Sequence, residues 1–214
     1  FILRKAKQKL KLQSQKGKNN MIKDKRKKQK IGKEIEQDML EKQANKVFLG
    51  IGSNLGNKKL NIENAKLHLE LNKNFRIFKT SKFYKTKSWP NPKMPNFLNI
   101  VIEGETYLKP LDLLFFLKKI EKILGRKPAK KNSPRICDID IIDFGHKCLK
   151  LYDRKSFVIT PHPRLEDRNF VLIPLFEISK NWKHPRSNIK ISQLLKQIDT
   201  KDLRSITVCL LYTS

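Results

Sequence analysis

The chain has 214 residues, enough for one well-buried domain and a tail. Its 48 Lys and Arg residues outnumber 20 Asp and Glu, and the resulting net charge of +28 lies far outside the usual range of soluble enzymes. No apolar stretch approaches the roughly 20 residues that a membrane-spanning helix needs, so we do not expect an integral membrane protein.

Residues 1–45 are predicted to form a basic tail. The first 46 residues hold 16 basic and 5 acidic side chains, and Lys23–Lys30 is basic at six of its eight positions. Such a composition cannot bury enough apolar surface to offset the entropy of ordering, so we expect disorder over about residues 1–32. The apolar spacing that follows is compatible with a helix from about Ile31 to Gln43.

The net charge has two interpretations. A polybasic tail binds phosphate backbones without sequence specificity, which would indicate a nucleic-acid partner. Coding bias is the alternative, because Lys, Asn, Ile and Phe, whose codons are rich in A and T, make up 88 of the 214 residues. We favour coding bias and keep nucleic-acid contact by the tail as the alternative.

The cysteines and the first residues indicate the compartment. Cys137, Cys148 and Cys209 are odd in number and irregularly spaced, so they form neither a disulfide framework nor a zinc site. No apolar segment follows the N-terminal charges, so there is no secretory pattern. Both observations favour a reducing, cytoplasmic setting.

From Lys46 onward the pattern is that of a folded α+β unit. Val47–Gly52 is a short apolar run that ends in a turn, and Asn57 can cap the helix that follows it. The next expected elements are a strand over Phe75–Tyr84, a strand over Phe97–Glu105, a helix from Pro110 to Gly125 and a strand over Ile136–Phe144. This β-α-β-β-α-β order predicts a split sheet with both helices on one face.

The C-terminal part is predicted to be smaller. We expect a short strand near Val158, a turn at residues 161–163 and a helix over Ile191–Ile198. The folded domain is thus predicted to span residues 46–200. Residues 201–214 would form a C-terminal tail, for which a native and a non-native origin both stay open, and Met21 is a candidate start.

Asp138 and Asp140 are the sharpest chemical signal. Residues two apart in a strand point the same way, so both carboxylates share one face, about 6–7 Å apart. Burying two like charges without a counter-ion is unfavourable in free energy, and a cation between them would relieve the repulsion. Only oxygen ligands are offered, which favours Mg²⁺ over zinc. A solvated face of an edge strand is the alternative, and these residues alone leave both open.

Two further features concern charge. Glu121 falls within the apolar stripe of the second helix, so its carboxylate either reaches solvent at the helix end or faces a polar cavity. Beside acidic metal ligands, a group of cations would suit a polyphosphate, although each cation taken singly is better explained as solvated surface. The group comprises Arg126, Lys127, Lys130, Lys131, Arg135, His162, Arg164 and Arg168. A P-loop motif is absent from the sequence.

Several segments occur together in an order that is more specific than any one motif. They are Gly50–Gly56, Tyr84–Thr86, Phe97–Asn99, Ile120–Arg126, Pro134–Asp140, Pro161–Arg164, Arg168–Leu172 and Pro174–Ile178. Together, from about Val47 to Ile198, they resemble the 6-hydroxymethyl-7,8-dihydropterin pyrophosphokinase family. The resemblance implies a ferredoxin-like sandwich and transfer of diphosphate from ATP to the hydroxyl of a reduced pterin. AMP would be released, and the reaction would belong to folate biosynthesis.

The resemblance also implies roles for single residues. Asp138 and Asp140 would hold two Mg²⁺ ions that bridge the triphosphate and, with Arg126 and Arg135, would be the catalytic residues. The pterin site would comprise Phe97 and Phe170, which stack on the ring, Asn99, which binds its edge, and Gly52, Thr86 and Trp89. The ATP side would comprise Glu121, Arg126, Lys130, Lys131, Ile141, His162, Arg164 and Arg168, with Arg135 beside them.

One loop departs from the family pattern. Lys127–Ser133 is one residue shorter and lacks the arginines and the tryptophan that some members carry there, so Lys130 or Lys131 would supply the charge. The rival hypothesis is a basic RNA- or ribosome-binding protein on the same sheet, which predicts outward aromatic residues without paired acids. A third hypothesis is one half of a fused folate enzyme. We otherwise expect a monomer that binds ATP and a reduced pterin.

Overall fold

The computed structural model describes residues 43–88, 91–129, 133–153 and 156–209. The predicted disorder over residues 1–32, and nearly all of the predicted helix that follows, lie outside the described residues. From Ala44 onward, the described part of the chain belongs to one compact unit. None of the helices in this described part is both long and apolar enough to cross a bilayer.

An antiparallel sheet forms the centre of this unit. Its strands are β1 (Asn45–Ser53), β2 (Phe75–Thr80), β3 (Tyr84–Thr86), β4 (Phe97–Thr106), β5 (Asp138–Phe144) and β8 (Thr207–Val208). The strand order is β5-β1-β4-β3-β8, and β2 pairs with the other half of β4. The remaining strands, β6 (Leu149–Asp153) and β7 (Ser156–Thr160), form a separate hairpin, of which the sequence predicted only the strand near Val158.

The described helices are α1 (Lys58–Glu70), α2 (Pro110–Ile123), α3 (Asn169–Ile178), α4 (Ile191–Gln197) and α5 (Thr200–Arg204). Helix α1 begins after Asn57, whose side-chain oxygen accepts a hydrogen bond from the Leu60 amide at 3.1 Å. Helix α2 opens on Pro110 and is followed by Gly125, whose φ of +94° suits a residue without a Cβ. These helix boundaries follow the sequence prediction closely.

The two faces of the sheet carry separate apolar cores. Alternation along β1 sends Leu49 to one face and Phe48 to the other. Buried residues of α1 and α2 pack on the face of Leu49, whereas α3 and α4 pack on the face of Phe48. The two helices of the predicted β-α-β-β-α-β unit therefore share one face, as predicted. On the other face, α3 and the predicted C-terminal helix α4 complete a second layer.

The structure corrects two predictions. The strand predicted over Phe75–Tyr84 is broken at residues 81–83, where the Ser81 hydroxyl accepts a hydrogen bond from the Val101 amide at 3.0 Å. Helix α3 was not predicted, because its sequence is apolar almost throughout and shows no stripe, and Pro174 argues against a helix. Packing against the sheet, which buries Leu172 completely, outweighs these local signals.

Candidate active site

A cleft of about 1290 Å³ opens beside β1, β3, β4 and β5. Most of the residues that the sequence assigned to substrates or catalysis line this one cleft. They are Gly52, Thr86, Phe97, Asn99, Arg126, Arg135, Asp138, Asp140, His162, Arg164, Arg168 and Phe170. Residues from four separate segments of the chain are thus brought together.

The two acids face open space because of their neighbours on β1. In the strand register, Asp138 lies beside Gly52 and Asp140 lies beside Gly50, so no side chain from β1 stands next to either carboxylate. Both side chains keep solvent access, with exposed fractions of 24% and 39%. The pair therefore lines the cleft, as the alternation along the strand predicts.

Arginines neutralise both carboxylates. The Asp138 oxygens accept hydrogen bonds from Arg126 Nη1 at 2.6 Å and from Arg135 Nη1 at 2.8 Å. Asp140 Oδ2 accepts one from Arg168 Nη1 at 3.0 Å. Burial alone would raise the pKa of Asp140, but His162, when its ring is protonated, and Arg168 outweigh burial and lower that pKa below its ordinary value. Asp140 is therefore ionised at neutral pH.

Glu121 lies behind the cleft rather than in its lining. Its side chain is buried, so the interpretation that it reaches solvent is wrong. The carboxylate accepts hydrogen bonds from the Ile139 amide at 2.8 Å and from Lys118 Nζ at 3.0 Å, and it pairs with Arg126 Nη1 at 2.7 Å. One buried acid thus fixes a cation of the cleft against the backbone between the two aspartates.

His162 is held as a neutral ring. Burial foremost, with help from Arg168 and Arg164, lowers its pKa, against the opposing charge of Asp140. Its Nδ1 accepts a hydrogen bond from the Arg164 amide at 3.1 Å, which leaves the ring proton on Nε2. His162 can therefore act as a hydrogen-bond donor in the cleft.

The other end of the cleft suits a flat ring. Phe97 and Phe170 are both half-buried and both line it. Asn99 Nδ2 donates to Thr86 Oγ1 at 2.9 Å, which fixes the amide. A Cβ on Gly52 would lie 2.8 Å from Asn99 Oδ1, so only glycine leaves that amide in place. Aromatic walls with a fixed amide at the edge can bind a heteroaromatic ring with polar edges.

Two residues of the site were missed by the sequence analysis. Lys118 lines the cleft one helical turn before Glu121, and that spacing was the available signal. Asn54 is almost completely buried, and its Oδ1 accepts a hydrogen bond from the Arg135 amide at 2.6 Å. Asn54 follows β1 directly, and a polar residue at a strand end could have been examined as a site residue.

Besides Glu121, one predicted site residue in the described part of the chain is not brought into the cleft. The Ile141 side chain is buried in the core on the side of α1 and α2. Trp89, Lys130 and Lys131 lie outside the described residues.

The acid pair fits magnesium by its chemistry. In the described part of the chain, no group of three or more His, Cys, Asp or Glu side chains could hold a metal ion. A protein-only cage of the kind that zinc or calcium uses is therefore not formed there. Mg²⁺ is commonly held by one or two carboxylates and completes its shell with water and substrate phosphate, which Asp138 and Asp140 allow.

A model of the family described as 7,8-dihydro-6-hydroxymethylpterin-pyrophosphokinase (HPPK) matches residues 48–180. A 2-amino-4-hydroxy-6-hydroxymethyldihydropteridine pyrophosphokinase from Aquifex aeolicus is 40% identical over 139 residues, which cover 65% of this chain and 83% of that protein. The folic acid synthesis protein fol1 of Pneumocystis carinii is 36% identical over 160 residues, which cover 75% of this chain and 21% of that protein.

Among solved structures, the HPPK-DHPS of Plasmodium falciparum matches with a TM-score of 0.59 at 16% identity, over 72% of this chain and 44% of that one. This likeness concerns the fold. The chain thus spans about a fifth of the fungal relative and less than half of the solved protein, but most of the bacterial one. These matches give no support to the RNA-binding hypothesis. The match to more than half of its residues shows that the chain belongs to the 7,8-dihydro-6-hydroxymethylpterin-pyrophosphokinase (HPPK) family.

Proposed function

We propose that the chain transfers diphosphate from ATP to 6-hydroxymethyl-7,8-dihydropterin and releases AMP, as a step of folate biosynthesis. The observation that carries this proposal is the single cleft, in which an arginine-bound acid pair lies at one end and two aromatic walls lie at the other. Family membership supports it.

The ring end binds and orients the pterin. Phe97 and Phe170 stack on its two faces, and the amide of Asn99 recognises its polar edge. The hydrogen bond that Asn99 donates to Thr86 lets only one orientation of the amide face the ring. Fixing the ring in this way brings its hydroxyl towards the phosphate end, and such positioning supplies much of the rate in phosphoryl transfer.

The charged end binds the triphosphate. Asp138 and Asp140 would hold Mg²⁺, two ions by the family resemblance, which when bound neutralises the phosphate oxygens. Arg126, Arg135 and Arg168, now engaged by the acids, would then turn to phosphate, for which their forked donors are suited.

The chemical step needs little from the protein beyond position and charge. The pterin hydroxyl attacks the β-phosphorus of ATP, the bond from that phosphorus to the oxygen of the α-phosphate breaks, and AMP leaves. Arginines and the Nε2 proton of His162 stabilise the charge that develops on AMP. Asp138 is a weak candidate to accept the hydroxyl proton, because both of its oxygens already accept hydrogen bonds from arginines.

Several finer features belong to the same proposal. The order β5-β1-β4, with β2 and β3 on the far side of β4, supports a ferredoxin-like sandwich. We also propose a monomer with a catalytic domain over residues 46–200, whose cleft is also lined by Asp202 and Ser205 from the segment that follows. The free thiols of Cys137, Cys148 and Cys209 support a reducing, cytoplasmic compartment.

The deciding experiment is an assay for AMP with the full chain, ATP, Mg²⁺ and 6-hydroxymethyl-7,8-dihydropterin. AMP release that depends on both the pterin and Mg²⁺ is the expected result. ATP consumption without pterin dependence, or none at all, would contradict the proposal. A thermal shift with single-stranded RNA is the matched test of the rival hypothesis, and we expect none from the chain truncated at residue 45.

The same assay tests the predicted tail. A chain that starts at Lys46 should release AMP at the rate of the full chain, because every described residue of the cleft lies beyond that point. A large loss of turnover in the shortened chain would show that the tail takes part in the reaction.

A further inference from the structure

The segment Asp199–Cys209, here called the strap, crosses the edge of the sheet next to the cleft. It comprises α5 and β8 and lies beyond residues 48–180, the part that the family model matches. Asp202 and Ser205 of the strap line the same cleft as the aromatic walls. The family resemblance therefore assigns the strap no role, yet the strap is part of the cleft wall.

One end of the strap is fixed to β3. Strand β8 pairs antiparallel with it, so that Val208 lies beside Tyr84 and Thr207 beside Lys85. The Cys209 amide donates a hydrogen bond to the Phe83 carbonyl at 2.8 Å. Strand β3 also carries Thr86, which holds the amide of Asn99. The strap therefore pairs with the strand that supports the part of the cleft suited to a flat ring.

Residues nearer the start of the strap form hydrogen bonds with the first residue of α3. Asn169 Nδ2 donates hydrogen bonds to the Asp202 carbonyl at 2.5 Å and to Ser205 Oγ at 3.1 Å. Ser205 Oγ itself donates to the Asp202 carbonyl at 2.7 Å. One amide group thus joins helix α3 to two residues of the strap.

Asn169 stands between two residues of the cleft that are anchored differently. The guanidinium of Arg168 is tied to Asp140, so it keeps its place without the strap. Phe170 has no polar group of its own, and its ring lies 5.4 Å from the guanidinium carbon of Arg168. The position of the Phe170 ring thus depends on how the first turn of α3 is held.

The far end of α3 has a separate anchor. Glu177 Oε2 accepts hydrogen bonds from the Tyr84 hydroxyl at 2.9 Å and from the Lys82 amide at 3.0 Å. Loss of the strap contacts would therefore leave the helix docked at its C-terminal end and release mainly its first turn. The effect should be local to Phe170.

We propose that the strap, through Asn169, is a positioning element that sets the affinity of the cleft for the pterin. It holds Phe170 at the distance from Phe97 that a flat ring requires. The inference rests on the proposed function, since it names a determinant of the same ring site. Asn169 acts through Phe170 and is not a catalytic residue.

The test compares Asn169→Ala with Lys201→Ala, a matched control on the exposed side of the strap. Two hydrogen bonds are lost in the first variant, so we expect the KM for pterin to rise about tenfold. The KM for ATP and kcat should stay within about twofold, because the hydrogen bonds between the acid pair and its arginines involve no strap residue. Ser205→Ala removes one of the two acceptors of Asn169, together with the hydrogen bond that Ser205 donates to Asp202, and should give a smaller rise. This second variant keeps the test usable if Asn169→Ala does not fold.

Direct measurement of pterin binding distinguishes a failure of the strap proposal from a failure of the proposed function. The Kd for pterin is measured by its fluorescence, with a non-hydrolysable ATP analogue and Mg²⁺ present. Wild-type chain that binds no pterin contradicts the proposed function itself. Wild-type binding with an unchanged Kd in both Asn169→Ala and Ser205→Ala overturns the strap proposal alone. A lowered Tm in these variants with unchanged pterin KM also overturns it, because that result indicates a merely structural role.

Discussion

The two ends of β5 place acids in opposite situations. At its start, Asp138 and Asp140 are partly exposed, and every one of their hydrogen bonds named above comes from an arginine. Near its end, Asp143 has an exposed fraction of 2%, and its Oδ2 accepts a hydrogen bond from Trp182 Nε1 at 2.8 Å. Its other oxygen, Oδ1, is buried and has no hydrogen-bond partner within the described part of the chain.

A β-bulge explains how acids near both ends of β5 come to face the same side of the sheet. The register between β1 and β5 shifts between Phe48 and Leu49, so Phe48 pairs with Asp143 and Leu49 with Ile141. Simple alternation would send Asp143 away from the face of Asp138 and Asp140. The bulge instead turns Asp143 to that face, deep beneath α3 and α4, where Trp182 packs.

The comparison distinguishes the acids that we expect to serve turnover from the acid that we expect to serve stability. Acids that are partly open to solvent and balanced by arginines of the same cleft can exchange those partners for a ligand. A sealed carboxylate with a single strong donor cannot exchange its partner, and it contributes to the fold only while that donor stays in place. We therefore expect changes at Asp138 and Asp140 to affect turnover and changes at Asp143 to affect the free energy of unfolding.

The largest expected effect is at the start of β5, here called its open end, where Asp138 and Asp140 lie. Asp138→Asn or Asp140→Asn should lower the rate of Mg²⁺-dependent AMP release by about a thousandfold or more, because the charge that would hold the metal is lost. The Tm should change little, since the partner arginines are themselves near solvent. Near-normal AMP release by either variant would show that the metal assignment is wrong.

The next effect concerns one buried and one exposed thiol. Cys137 immediately precedes β5 and is completely buried. Burial, followed by the charges of Glu121 and Asp138, raises its pKa to about 12. A thiol reagent at pH 8 should therefore label Cys137 at least about a hundredfold more slowly than the exposed Cys148, as mass spectrometry of timed samples can measure. Equal rates would mean that the strand opens readily from the core.

A smaller effect is expected near the end of β5, here called its sealed end, where Asp143 lies. Asp143→Ala removes the acceptor of the Trp182 indole N–H, so the free energy of unfolding should fall by about 1–3 kcal/mol while turnover is kept. Asp143→Asn is the matched control, because its amide oxygen can still accept that hydrogen bond. Urea unfolding of both variants measures the difference. If the two lost equal stability, the charge of Asp143 rather than its hydrogen bond would matter.

The sequence predicted the open end far better than the sealed end, and the reason is physical. Asp138 and Asp140 obey the period of a strand and match a motif, so their shared face was predictable. The role of Asp143 depends on a bulge, and a bulge arises from pairing with a distant strand rather than from local sequence.

The same reasoning applies to α3 and Glu121. Helix α3 owes its form to packing on the sheet, which an almost wholly apolar run does not reveal. The Ile139 amide, which donates a hydrogen bond to Glu121, comes near that carboxylate only once α2 lies against β5. Local period and motif order thus predicted the strands and the cleft residues, whereas contacts between distant elements had to come from the structure.

The smallest expected effect is the pH dependence of stability near the sealed end. His184 lies beside Trp182, and burial foremost lowers its pKa from the ordinary 6.5, with Arg186 acting in the same direction and Glu166 against it. Its Nδ1 also accepts a hydrogen bond from the Ser187 amide at 3.2 Å, which only the unprotonated nitrogen can do. The unfolded chain therefore binds the proton more readily than the folded chain does. Stability should be fully present above about pH 6.5 and fall as the pH drops below it.

His184→Gln tests this expectation by removing the titrating group. The free energy of unfolding, measured in urea at pH 7.5 and pH 5.5, should fall less between the two values in the variant than in the wild-type chain. The slope should not vanish, because the pKa of His162 in the cleft is also lowered, mainly by burial. An unchanged slope would mean that the ring of His184 accepts a proton as easily in the folded chain as in the unfolded one. The contribution of the sealed end to stability would then not depend on the protonation of His184.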